Sequence, residues 1–190
     1  MDATRRQAQL GTQTIHLMGV VPMPGARLRM NFVIPAARRA DRPLTTEDVC
    51  RGVIVVSTLP NIHKHACLSQ IVDLEERGPA LCEPLRIVHV SADHESHWQE
   101  VDQFHPNIQT AGYSLYSADP ASRGAFVTAF GVGVEGHPRI AHGLFLLREG
   151  MFLKSEVPTD QMQSVEVTQF LRDSARCLMA ADRSGIGRPA

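Results

Sequence analysis

GVIVVSTLPNIHKHACLSQIVDLEER, residues 52–77, decides how the chain folds. Its opening run, Gly52–Leu59, is almost continuously apolar and rich in β-branched side chains, as in a strand buried on both faces. Pro60 ends that strand, and PNIHKHA forms a connection. A helix is predicted over Cys67–Arg77, where Leu68, Ile71, Val72 and Glu75 recur at helical spacing before Gly78-Pro79 stops it. Cys67 therefore stands at a helix start, just beyond the C-terminal end of a central strand. In open α/β sheets that edge is where ligands bind.

Outward from this unit the pattern keeps alternating. Leu85–Ser91 (LRIVHVS) is a second buried-looking strand, and Asp93 sits where it would cap a helix with Trp98, Val101 and Phe104 on one side. Ser122–Phe130 predicts a helix with Phe126, Val127 and Phe130 inward. IAHGLFLLREGMFLKSEV reads as two strands about a turn at Arg148-Glu149-Gly150, and Asp160–Ala181 as a long closing helix. Upstream, Thr14–Gly19 is a short outer strand. Leu44–Val49 is a short helix with Thr45 or Thr46 as cap. This order predicts an α/β fold with a mixed central β-sheet and helices on both faces; the thioredoxin-like arrangement has this order, though the order alone does not select it. No repeat or linker divides it, so residues 13–181 form one domain. Residues 1–12 are expected as a flexible basic arm and 182–190 as a disordered tail.

Composition bounds the function. The chain has 190 residues, 43% hydrophobic and 21% charged, which suits a soluble globular domain rather than a disordered or fibrous one. A net charge of −1 argues against bulk binding to nucleic acid, and no apolar run reaches the roughly 18 residues of a membrane span. The opening MDATRRQAQLGTQ has no apolar segment behind its arginines, so a secretory signal is not expected and a cytoplasmic location is. Charge is uneven: residues 1–42 hold seven arginines against Asp2 and Asp41, read as a solvated arm or, alternatively, a surface for an acidic partner. The cysteines (Cys50, Cys67, Cys82, Cys177) show no C-x-x-C spacing and are too few for a disulfide scaffold. Cys50, Cys82 and Cys177 read as core residues. Lysine occurs only at 64 and 154, against 17 arginines.

Unpaired N–H groups and the dipole at a helix start stabilise a thiolate, and His63, Lys64 and His65 add potential positive charge. Cys67 is accordingly expected to have a lowered pKa and to be reactive. The segment Pro60-Asn61-Ile62-His63-Lys64-His65-Ala66-Cys67 resembles the peroxidatic segment of peroxiredoxins, in particular the thiol peroxidase branch, whose pattern is Pro, three residues, Thr or Ser, two residues, Cys. TIHLMG (14–19), IVHVSAD (87–93) and FVTAFGVGVEG (126–136) resemble further pieces of that branch in the same order. The resemblance implies a thioredoxin-like fold and a thiol-dependent, antioxidant peroxide reductase with Cys67 as the peroxidatic cysteine. It also implies a peroxide substrate, thioredoxin or another external thiol as reductant, no cofactor, and a homodimer.

Three positions depart from the pattern the resemblance implies. Lys64 stands where the family has its hydroxyl, His142 where it has an arginine, and Asp102 where the branch has its resolving cysteine. The candidate catalytic set is therefore Cys67 as nucleophile, Lys64 as donor, His142 as proton donor to the leaving oxygen, and Pro60. A weakened, one-cysteine mechanism is expected. Arg139, three residues from His142, is expected on the opposite strand face if the strand is regular there. Two other readings stay open. One is a non-catalytic peroxiredoxin-like binding or regulatory domain, and the other is metal binding by His63, His65 and Cys67.

Overall fold

The computed structural model describes residues 6–80 and 85–184. Along the chain run β1 (Arg6–Leu10), β2 (Gln13–Met18), β3 (Val33–Ile34), β4 (Ala36–Arg38), β5 (Leu44–Thr45), α1 (Thr46–Val49), β6 (Val53–Leu59) and α2 (His65–Arg77). Then come β7 (Arg86–Ser91), α3 (Trp98–Phe104), β8 (Ala111–Ser114), α4 (Pro120–Phe130), β9 (Gly133–Val134), β10 (His137–Ile140), β11 (Gly143–Arg148), β12 (Met151–Glu156) and α5 (Val167–Ser184).

The main sheet has the strand order β12-β11-β6-β7-β8-β4. The strands β6, β7 and β8 are parallel, while β11, β12 and β4 join antiparallel, so the sheet is mixed as predicted. Period-two alternation along β6 and β11 divides the core between its faces. Val55, Leu144 and Leu146 pack with Leu74 of α2 and Phe170 and Leu171 of α5. Ile54, Val56, Phe145 and Leu147 pack with Phe126 and Phe130 of α4 on the other side. Helices thus cover both faces. The β11–β12 hairpin closes through Glu149 (φ 48) and Gly150 (φ 71), the left-handed pair that a two-residue type I′ loop requires.

Four expectations are corrected. The chain from Arg6 is not a free arm: β1 pairs with β2 from Arg6↔Leu17 to Leu10↔Gln13, in a second sheet of order β1-β2-β9-β10. The final helix begins at Val167 rather than Asp160, because Glu166 caps it by accepting from the Gln169 N–H at 2.7 Å. Residues 159–161 instead dock on β1, with Gln9 N–H to Thr159 O and Gln161 N–H to Gln9 O, each at 2.7 Å. That helix also runs through Asp182–Ser184, part of the expected tail, whose last six residues lie outside the described chain. Phe104 faces solvent at 70% exposure, since α3 buries only Trp98 and Val101.

Candidate active site

Strand β6 and helix α2 place Cys67. The strand ends at Leu59, the chain turns through Pro60–His63, and α2 starts at His65 with Lys64 as its flanking cap residue. Cys67 is the third helical residue. The N–H groups of His65, Ala66 and Cys67 consequently have no acceptor within the helix. Buried Gln70, one turn on, pins α2 to the sheet by donating to Ser57 Oγ at 2.9 Å and Gly143 O at 3.4 Å. Its Oε1 accepts from the Val165 N–H at 3.4 Å.

The Cys67 sulfur is fully buried. It accepts from the Asn61 N–H at 3.4 Å and lies 3.4 Å from His142 Nε2. His142 sits in the two-residue gap between β10 and β11, itself buried, with its N–H donating to Gln161 Oε1 at 2.7 Å. Its Nδ1 has no partner among the described residues. Gly143 follows because a Cβ there would come within 3.0 Å of Phe145 and Thr58. Thr58 Oγ1 meanwhile donates to Ala141 O at 2.9 Å, fixing the chain just before His142.

The turn before Cys67 is clamped from outside. Asp93, buried, accepts from the Ile62 N–H at 2.8 Å and from Ser91 Oγ at 2.9 Å. It is not the helix cap expected: that place falls to His94, whose side chain accepts from the Ser96 N–H ahead of a 3-10 turn. Arg139 donates to Pro60 O at 2.6 Å and lies 3.5 Å from Asp93. This corrects its assignment to the opposite face. The β9–β10 pairing shifts register between His137 and Ile140, and the strand breaks at Ala141, so simple alternation from 142 back to 139 fails.

Electrostatics overturn the expected thiolate. Burial pushes the Cys67 thiol up to about 12, with Asp93 adding to the rise, while the Asn61 N–H and Arg139 pull down less strongly. The basic residues of the preceding loop do not offset this burial. His63 pairs with Glu100 at 3.1 Å and its ring meets that of His97 at 4.5 Å, while Lys64 and His65 lie exposed. Burial also lowers His142 to about 4. At neutral pH the site is therefore a neutral thiol facing a neutral imidazole. The turning away of His63 also removes the proposed His63–His65–Cys67 metal set, and no metal-holding group of three such residues occurs among the described residues.

A pocket of about 480 Å³ opens over this pair, lined by Pro60, Lys64, Cys67 and His142, so all four sequence candidates meet at one place. Arg139, Gln161 and an apolar wall of Leu10 and Met162 complete it. These four are not legible in the sequence, because the pairing of β1, the docking of residues 159–161 on it and the register shift before His142 bring them here. Asp102 does not approach the pocket set: its carboxylate holds the buried Arg38 guanidinium at 2.8 Å and Arg39 at 3.5 Å. Cys50 and Cys177 are half-buried free thiols, and Cys82 lies outside the described residues.

No protein-family model matches the chain, and no curated protein matches it in sequence. Solved structures do. A thiol peroxidase from Chromobacterium violaceum superposes with a TM-score of 0.74 at 15% identity, over 94% of this chain and 98% of that one. A peroxiredoxin-like protein from Aquifex aeolicus gives 0.71 at 16% identity, over 90% and 97%. The AhpC structure of Enterococcus faecalis gives 0.70 at 17% identity, over 88% and 97%. The fold is thus the thioredoxin-like fold of peroxiredoxin structures, and the chain spans nearly the full length of each. No described helix is long and apolar enough to cross a membrane.

Proposed function

We propose that the chain reduces hydroperoxides at Cys67, by a one-cysteine route in which an external thiol, thioredoxin or another, restores the enzyme. The observation that carries this reading is the Cys67 Sγ–His142 Nε2 contact of 3.4 Å at the floor of the pocket. The thiol proton passes to His142 Nε2 as sulfur attacks one peroxide oxygen. The O–O bond breaks, and the imidazolium returns that proton to the leaving oxygen. One thiol and one hydroperoxide become a sulfenic acid and an alcohol or water. Lys64, Arg139 and the free N–H groups at the start of α2 supply donors for the charge that develops on oxygen.

Asp102 carries no thiol and is committed to Arg38, which supports resolution by an external reductant. A peroxide substrate, a thiol reductant and self-association into a dimer are the partners this reading expects, without a cofactor and in the cytoplasm. Intact mass after stoichiometric hydrogen peroxide tests it. A rapid gain of one oxygen, absent in Cys67→Ser, is the expected result, and no change at Cys67 over hours would sink the proposal. The second reading, a peroxiredoxin-like binding domain without peroxidase activity, is favoured by one observation. Burial holds Cys67 as a thiol at neutral pH.

A further inference from the structure

The pocket over Cys67 is unevenly built. Among the described residues that line it there is no aspartate or glutamate, while Lys64 and Arg139 are both present. Lys64 caps α2 without a side-chain bond, and its ammonium has no partner among the described residues. Arg139 is half compensated: its Nη1 serves Pro60 O and lies near Asp93, but its Nε and Nη2 donate to no described residue. Such free donors are the usual means of holding a carboxylate. The opposite character comes from Leu10 and Met162, which line the same pocket and keep 42% and 57% of their surface exposed. These belong to β1 and to the 159–162 segment bonded to it, so the apolar wall is held in place rather than loose.

We infer that the pocket binds an amphipathic carboxylate, with its head group at Lys64 and Arg139 and its hydrocarbon chain along Leu10 and Met162. This rests on reading the pocket over Cys67 as the substrate site. It goes further in assigning charge selection to Lys64, a residue type that occurs at only two positions in the chain. The volume of about 480 Å³ falls within the range of roughly 300–1,000 Å³ usual for small-molecule sites. Lys154, the other lysine, is not available for such a task. It bonds Asp173 at 2.6 Å and lies over the Phe170 ring at 5.3 Å.

The test is calorimetric titration of the full chain with octanoate, octanol and octylamine, three probes of one chain length and different head charge. At low ionic strength octanoate is expected to bind at least tenfold more tightly than either of the others, equivalent to about 1.4 kcal/mol. That preference should shrink on raising salt, because the head group lies at the pocket mouth. Lys64→Met should reduce it to threefold or less, and Lys64→Arg should keep it. Absent octanoate binding, equal binding of the three probes, or a preference unchanged in Lys64→Met would each overturn the inference. The same titration on Cys67→Ser needs no reactive thiol. A protein that binds octanoate yet leaves peroxide untouched overturns the catalytic reading alone, and one that reduces peroxide without binding octanoate overturns this inference alone.

Discussion

Replacing His142 by alanine tests the chemistry at its narrowest point. With the thiol at about 12, only about one molecule in 10⁵ carries a thiolate at pH 7, so an unaided sulfur would react slowly. A base in contact with the thiol avoids that limit by taking the proton during attack, an effect of about 10²–10⁴ in rate. His142 is lowered to about 4 and so stays neutral, and able to accept, everywhere above about pH 5. The wild-type oxidation rate is therefore expected to be nearly flat from pH 5.5 to 9.5, because neither partner titrates in that window.

In His142→Ala only the thiolate path remains. The rate at pH 7 should fall by about 10²–10⁴. It should then climb tenfold for each pH unit, since the thiolate fraction does so. The assay is the time course of Cys67 oxidation by quenched-flow mass spectrometry across that pH range, with Cys67→Ser as the blank and near-ultraviolet circular dichroism to confirm the fold. A wild type that already climbs tenfold per unit, or a variant within threefold of wild type, would refute the role of His142 as base.

Acid should unfold the protein early. His142 and His89 are lowered by burial to about 4 and about 3, so between pH 6.5 and those values the unfolded chain binds the extra protons and stability falls as pH drops. The loss is on the order of 3 kcal/mol for each group, to be read from urea midpoints at pH 7, 5 and 4, and a flat series would contradict it. Asp102→Ala leaves the buried Arg38 short of its charged partner and should cost about 1–3 kcal/mol in urea unfolding, with less than 0.5 kcal/mol counting against the pairing. Gly143→Ala forces a Cβ against Phe145 and Thr58, and should destabilise by about 1–3 kcal/mol while slowing Cys67 oxidation; an unchanged midpoint would show that the site can relax. Gln9→Pro removes the N–H that holds Thr159 O, so iodoacetamide should label Cys67 several-fold faster as the pocket wall loosens, and an unchanged rate would separate β1 from the site.

The parts of the fold legible in the sequence are those whose burial follows one simple period. Continuous apolar runs revealed β6 and β7, and the Glu149-Gly150 turn revealed the β11–β12 hairpin. β1 was not legible because RQAQL is polar on most of its length and is held by pairing with β2 rather than by its own pattern. The start of α5 is not legible for a related reason: 160–166 carries Met162 and Val165 at helical spacing, yet its backbone N–H groups bond β1, its own turn at Asp160 and the Gln70 side chain. At the site, Cys67 and its place in the first turn of α2 could be read from residues 52–77 alone. Arg139 could not, because a register shift in β10 is invisible to counting by twos. The pKa of Cys67 could not be read either. Helix position and nearby bases pointed down, and only the three-dimensional burial of the sulfur shows that desolvation wins.

That reversal gives a physical meaning to the pairing of Cys67 with His142. A cation fixed beside sulfur stabilises a thiolate before any substrate arrives, and burying such an ion pair carries a desolvation cost of several kcal/mol per ion. A neutral imidazole in contact with a buried thiol avoids that cost in the resting protein, at the expense of having no standing nucleophile. In the proposed reaction charge develops only as the S–O bond forms, and the groups that would meet it are Lys64, Arg139 and the N–H groups that begin α2. The sulfur lies within 3.4 Å of a ring nitrogen while Gln161, Thr58 and Gly143 fix that ring's backbone, which supports the proposed reading over a domain without chemistry. On the proposed reading, the held His142 and the unpartnered Lys64 are two halves of one arrangement, with proton transfer at the buried thiol and charge stabilisation at the exposed lysine.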